Sequence, residues 1–130
     1  MKEVIEALLG FRNSCGHACR GIGFAIHSQK NLRVHLAFVA AALAAAVVLK
    51  FNAIRLVLLI LTITSVIVAE LINTALEFAM DLVEARHHPA VKTAKDVAAG
   101  GVLVAVAGSV IIGLLLFGPS LWALLRSCRG

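Results

Sequence analysis

Three polar side chains, Glu70, Asn73 and Glu77, interrupt a stretch from 60 to 80 that is otherwise almost continuously apolar. Their spacings of three and four residues place all of them on one side of an α-helix. An ionised carboxylate is costly beside hydrocarbon, so such residues usually face a bundle interior or a water-filled site and serve a function. Carboxylates can act there as a general base or bind Mg²⁺ together with substrate phosphates.

Two further carboxylates, Asp81 and Glu84, continue the same stripe, within about 40° of Glu70 around the helix. The alternative interpretation is that the helix leaves the membrane early and that the stripe is only a solvated face. This would account for Asp81 and Glu84. It fits Glu70 poorly, because Leu71 and Ile72 follow it directly and the apolar run continues.

A second polar group follows in a predicted loop at 83–96, which contains a His87–His88–Pro89 turn and then Lys92, Lys95 and Asp96. A lysine can supply a compact positive charge to the oxygens of a transferring phosphate. Taken alone, Lys95 is better explained as an ordinary basic anchor at a membrane surface. Soluble nucleotide signatures are missing from the sequence, since it has no GxxxxGK[ST] motif and no complete GxGxxG turn.

The composition indicates that these residues belong to a membrane protein. The 130-residue chain is 61% hydrophobic and only 15% charged, with a mean hydropathy of +0.98. A soluble domain of this length would be about half apolar and about a quarter charged. We expect a single domain over 1–130, and the three cysteines suggest reduced side chains rather than a disulfide framework or a zinc site.

The apolar pattern predicts an all-α integral membrane fold with three transmembrane helices, at about 32–50, 54–82 and 97–117. Gly118 and Pro119 predict the end of the third helix. The segment 1–28 alternates apolar and charged residues at helical spacing, which predicts an amphipathic helix on the membrane surface.

The distribution of charge predicts the orientation. Eight of the 12 Lys and Arg residues lie in the N-terminal segment up to Arg33 or between the second and third spans. The positive-inside rule then places the N-terminus and the 83–96 loop in the cytoplasm and the C-terminus outside. All seven acidic residues fall on the same cytoplasmic half. The net charge of +5 could suggest nucleic acid, but topology and anionic lipid headgroups explain it better, so we expect no nucleic-acid partner.

Two blocks of sequence resemble the small prokaryotic membrane lipid kinases of the diacylglycerol kinase/undecaprenol kinase family. They are AELINTALEFAMDLV followed by HHPAVKTAKDVAAGGVL, and the N-terminal HACRGIGFAIHSQKNLRVHL. The resemblance covers residues 11 to 119, and the ExxNxxxE array joined to a downstream AKD is specific. It implies a homotrimer of three-span subunits in the prokaryotic plasma membrane. Each subunit would use ATP and Mg²⁺ to phosphorylate the hydroxyl of a membrane lipid alcohol.

Residue roles are also implied by this resemblance. Glu70 would be the general base on the lipid hydroxyl, with Asn73 orienting neighbouring groups or the substrate. Glu77 would ligate Mg²⁺ and contribute to the nucleotide site. Lys95 would neutralise the phosphates of ATP.

Other residues would form the rest of the nucleotide site. Asp96 would position the nucleotide, and its approach would be lined by Arg86, His87 and His88. His17 would contact the adenine, at a position where relatives can carry an aromatic residue.

Gln29 departs from the family pattern, because it stands where the resemblance implies a second metal-binding glutamate. Its neutral carbonyl oxygen would bind Mg²⁺ and the nucleotide more weakly than a carboxylate. This departure gives some weight to a non-catalytic relative that binds lipid or nucleotide.

Two other functions stay open. The acceptor could be diacylglycerol instead of undecaprenol, although the HHP turn and the GLLLFGP ending resemble the undecaprenol kinases more. An oligomeric ion or proton channel could also use Glu70 and Glu77, but it would leave the Lys95–Asp96 pair unexplained.

Overall fold

The computed structural model describes residues 1–83 and 88–127, and the regular elements within these ranges are all α-helices. They are α1 (Lys2–Ser28), α2 (Lys30–Val48), α3 (Ala53–Val83) and α4 (Pro89–Ser127). Helices α2, α3 and α4 are long and apolar enough to cross a membrane. The prediction of three membrane helices preceded by an N-terminal helix is therefore confirmed.

Helix α4 is longer at both ends than the predicted third span. The expected stop at Gly118 and Pro119 is wrong, because the helix continues through Pro119 to Ser127. A proline removes one backbone donor, but membrane helices tolerate it where neighbouring groups compensate. Here Arg55 of α3 donates a hydrogen bond to the Ser120 hydroxyl at 3.0 Å, and Phe51 stacks on Phe117 with ring centroids 4.8 Å apart.

The C-terminal part of the predicted loop at 83–96 is also helical, since α4 begins at Pro89. Proline suits the first position of a helix because its fixed φ is already helical and its missing N–H has no partner there. The His88 Nδ1 atom accepts a hydrogen bond from the Ala90 N–H at 3.2 Å, which satisfies one free donor of the first turn. Lys92, Lys95 and Asp96 consequently lie on a helix.

Helix α3 is the central helix of the fold and packs against each of the other three helices. A small cluster of buried apolar residues joins α2, α3 and α4, formed by Ala46, Leu59 and Leu116. Most of the large apolar side chains of the spans are exposed on this single subunit. Such a surface suits contact with lipid chains, which are as apolar as the side chains themselves.

The junction between α1 and α2 is a single extended residue, Gln29, with φ −103° and ψ 116°. Arg33 holds the end of α1 by donating to the carbonyl oxygens of Ile26 and His27 at 3.3 and 2.9 Å. Farther along α1, Phe24 meets Phe78 of α3 edge to face, with ring centroids 5.5 Å apart. These contacts place the side chain of Gln29 against α3.

Candidate active site

The Glu70 carboxylate is buried at the junction of α2 and α3, with only 3% of the residue exposed. Its Oε1 atom lies 3.0 Å from Nε2 of His35 on α2. One turn later, the Thr74 hydroxyl donates to the backbone oxygen of Glu70 at 2.8 Å. Glu70 therefore does not lie on a solvated face. The apolar residues that follow it in the sequence predicted this.

Glu77 receives two amide hydrogen bonds from two different elements. Asn73 Nδ2, one turn earlier on α3, donates to Oε1 at 3.0 Å, and Gln29 Nε2 at the helix junction donates to Oε2 at 3.1 Å. The stripe on α3 and the departure at Gln29 thus meet in one place. Sequence spacing predicted that Asn73 and Glu77 share one helix face. The packing of the helices adds Gln29 to them.

The Asn73 side chain contains an unusual atom. Its Oδ1 is buried and has no hydrogen-bond partner among the described residues, although buried acceptors are nearly always paired. A substrate hydroxyl or a cation placed beside Glu77 would satisfy it. We therefore regard this oxygen as an indication that a ligand completes the cluster.

The oxygen atoms of this cluster fit Mg²⁺ in the way that phosphate enzymes use it. Within 1–83 and 88–127, no group of three or more His, Cys, Asp or Glu residues could hold a metal ion. Mg²⁺ usually needs only one or two carboxylates, with substrate phosphates and water as its other ligands. Glu77 offers one carboxylate. Rotating the side-chain amide of Asn73 or Gln29 by about 180° would present its carbonyl oxygen beside that carboxylate.

A second polar group lies near the end of α3 and the start of α4, where Lys95 Nζ pairs with the Asp81 carboxylate. The two side chains are 32% and 67% exposed. Asp81 is thus solvated, as the alternative interpretation of the stripe allowed, but its pairing with Lys95 could not be predicted from local spacing. Exposed pairs contribute only about 0–1 kcal/mol, so phosphate oxygens could replace Asp81 easily.

Among the described residues, Asp96, His88 and His17 make no hydrogen bond or ion pair with either group. Asp96 is exposed on α4. The ring of His88 accepts a hydrogen bond from the backbone N–H of Ala90 in the first turn of α4. His17 is exposed on α1, where Arg20 Nη2 donates to its Nδ1 at 2.9 Å, and it lies roughly 18 Å of helix axis before Gln29. Arg86 and His87 lie outside the described residues.

Sequence analysis did not identify His35, which is the partner of Glu70. A signal was present, because His35 is the only polar residue between 34 and 48, in an otherwise apolar part of α2. Ionisable residues within membrane spans usually face a partner or a functional site.

An apolar groove of about 440 Å³ lies between α1 and α3. Its walls include Ala18, Ile22, Leu71 and Phe78, and Thr74 borders it next to Asn73. A groove with this apolar lining can hold a hydrocarbon chain.

The chain is similar to known proteins over most of its length. The family model described as prokaryotic diacylglycerol kinase matches residues 16–117. An undecaprenol kinase of Bacillus subtilis is 40% identical over 120 residues, which cover 92% of this chain and 98% of that protein. A diacylglycerol kinase of Synechocystis sp. is 40% identical over 119 residues, which cover 91% of this chain and 66% of that protein.

Proposed function

Since this chain belongs to the prokaryotic diacylglycerol kinase family and is a membrane lipid kinase, we propose that it transfers the γ-phosphoryl group of ATP to undecaprenol. The observation that carries the proposal is the Glu70–Asn73–Glu77 cluster, in which Glu70 and Asn73 are buried, on the same helix that lines an apolar groove with Leu71 and Thr74. A lipid alcohol needs both features, because its hydroxyl must reach a base while its chain stays out of water.

The reaction requires a base and a binding site for the phosphates. The lipid hydroxyl oxygen would attack the γ-phosphorus of ATP, and its proton would pass to the Glu70 carboxylate. The bond from the γ-phosphorus to the bridging oxygen would break, so that ADP leaves with that oxygen. Asn73 would orient the lipid hydroxyl or its neighbours through its free Oδ1. Phosphoryl transfer depends chiefly on such positioning and on neutralising the oxygen charges.

Lys95 would supply positive charge to the phosphates after leaving Asp81. Mg²⁺ bound with ATP would neutralise further charge on the phosphate oxygens. Glu77 would hold it, with Gln29 contributing its amide oxygen. Because Gln29 is neutral, we expect the metal to be held more weakly than by two carboxylates.

Asp96, His88, Arg86 and His87 would surround the nucleotide at the cytoplasmic end of α3 and α4. His17 is far from this end along α1, so a neighbouring subunit would have to bring its own His17 to the adenine. This is one reason to propose a homotrimer. A second is that the Lys95–Asp81 group is open to solvent on a single subunit.

The proposed location is the prokaryotic plasma membrane, with the N-terminus and the active site on the cytoplasmic side, where ATP is available. The bias of basic residues toward this side supports the orientation. The exposed apolar side chains of α1, such as Val4, Leu8 and Phe11, would rest on the membrane surface and cover the lipid entrance.

Two findings favour undecaprenol over diacylglycerol. The undecaprenol kinase matches over 98% of its own length, whereas the diacylglycerol kinase matches over 66%. The HHP turn and the GLLLFGP ending of the sequence also resemble the undecaprenol kinases. Diacylglycerol is the second candidate, because the two relatives are equally identical to this chain.

The test is phosphate transfer from γ-labelled ATP by the purified protein in mixed micelles, with undecaprenol, diacylglycerol or no lipid alcohol added. We expect labelled lipid with undecaprenol at the highest kcat/KM and none without an alcohol. A higher kcat/KM for diacylglycerol would contradict the proposed acceptor. Absence of labelled lipid with every alcohol, from a protein that is folded by size-exclusion chromatography, would contradict the proposed reaction.

A further inference from the structure

His35 is the contact through which α2 reaches the proposed base. Its Nε2 atom lies 3.0 Å from Glu70 Oε1, and the two side chains are 21% and 4% exposed. The residues that follow His35 on α2 are all apolar as far as 48. Among the described residues, Glu70 is the polar side chain that lies within hydrogen-bond distance of the imidazole.

The chemistry of the pair determines which atom carries the hydrogen. A base must be an ionised carboxylate, which only accepts hydrogen bonds. His35 Nε2 therefore carries the hydrogen and donates it to Oε1. This leaves Oε2 of Glu70 to accept the proton of a substrate hydroxyl.

A glutamate side chain has several rotatable bonds, so an untethered carboxylate would sample orientations that do not face the hydroxyl. Bases in enzymes are commonly held by a third group for this reason. Glu70 has no amide donors of the kind that hold Glu77 among the described residues. The hydrogen bond from His35 thus holds Glu70 in the way that the two amide donors hold Glu77.

We propose that His35 is a positioning residue for phosphoryl transfer, and that its Nε2–H holds the Glu70 carboxylate toward the lipid hydroxyl. This inference rests on the proposed function, because it gives Glu70 the role of base. It adds that the base on α3 is oriented by α2, a different membrane helix.

The first test compares His35→Ala with His35→Gln. Removing the donor should lower kcat by about 10²-fold, the loss expected when a reacting group moves by about 1 Å. The KM for ATP should change by less than about twofold, because nucleotide binding does not involve this donor. Gln places an amide N–H near the position of Nε2, so it should recover much of the lost kcat. The matched control is His27→Ala, an exposed histidine at the end of α1.

The second test is a double-mutant cycle with Glu70→Gln. If His35 acts through Glu70, His35→Ala should lower kcat no further in the Glu70→Gln background, because interacting residues are not additive. Equal fold losses in both backgrounds would show a structural role and overturn the inference, as would His35→Ala with wild-type kcat.

The outcomes separate this inference from the proposed function. If the wild-type protein phosphorylates lipid alcohols but His35→Ala does so equally well, only the inference fails. If the wild-type protein phosphorylates none of them, the proposed function fails and the inference fails with it. If His35→Ala and His35→Gln lose kcat equally while both remain folded and oligomeric, the hydrogen-bond donor is not the reason for the loss, and the inference is overturned.

Discussion

The two polar groups of this subunit differ in burial and in how they are held. Glu70 is 3% exposed and Asn73 is 9% exposed, and the cluster that contains them has contacts from α2 and from the junction at Gln29. The Lys95–Asp81 pair lies at the ends of α3 and α4, with side chains 32% and 67% exposed. Glu70 and Asn73 are enclosed by the fold of a single chain, whereas the Lys95–Asp81 pair is open to solvent.

This difference matches the two substrates of a lipid kinase. A lipid hydroxyl arrives from hydrocarbon, where a base works best if its orientation is already established and water is kept away. ATP arrives from water, so its phosphates need an accessible positive charge with a partner that is easily displaced. The buried group therefore should control chemistry, whereas the open group should control both chemistry and nucleotide binding.

Glu70→Gln should have the largest effect, and it tests whether the buried group controls the chemical step. The amide keeps the shape of the side chain but cannot take the hydroxyl proton, so kcat should fall by about 10²–10⁴-fold. Steady-state phosphorylation of lipid in micelles measures it, and size-exclusion chromatography shows whether the variant stays folded and oligomeric. Wild-type turnover in Glu70→Gln would remove Glu70 from the mechanism.

Lys95→Ala should give the next largest effect, a loss of about 10²–10³-fold in kcat/KM for ATP, because a charge directed at the transferring oxygens disappears. Lys92→Ala is the matched control, since Lys92 lies one turn earlier on α4 and is also exposed. Lys95→Arg should recover little, because the larger planar guanidinium cannot replace a compact ammonium. Equal, mild losses in both alanine variants would mean that Lys95 is only a membrane anchor.

Gln29→Glu tests whether the residue that contacts Glu77 also contributes to Mg²⁺ binding. A second carboxylate beside Glu77 should lower the Mg²⁺ concentration for half-maximal rate by roughly tenfold, because ligand charge tunes affinity for hard cations. The titration of rate with Mg²⁺ at saturating ATP measures this. Gln29→Ala is the control, and it should raise the Mg²⁺ requirement instead. An unchanged Mg²⁺ dependence in both variants would place Gln29 away from the ion.

Asp81→Asn should give the smallest effect. It frees Lys95 from an exposed ion pair worth about 0–1 kcal/mol, so the KM for ATP should fall by at most about fivefold. Initial rates across a range of ATP concentrations at low and high salt measure the change, and high salt should reduce it. A large loss of kcat would show that Asp81 has a role beyond pairing with Lys95.

Local patterns in the sequence were enough to predict the helices and much of the buried cluster. An apolar run of about 20 residues predicts a membrane helix because of the bilayer's thickness. Offsets of three and four residues place Glu70, Asn73 and Glu77 on one face because of the helical period. These properties depend on residues near one another in the chain.

Contacts between distant residues could not be predicted in this way. His35 and Glu70 are 35 positions apart, and Gln29 and Glu77 are 48 apart. Which faces meet depends on how α1 and α2 pack on α3, and no local period encodes that choice. The end of α4 has the same explanation. Pro119 predicts a stop, but Phe51 packs on Phe117 just before it and Arg55 donates to Ser120 just after it, and both partners come from distant parts of the chain.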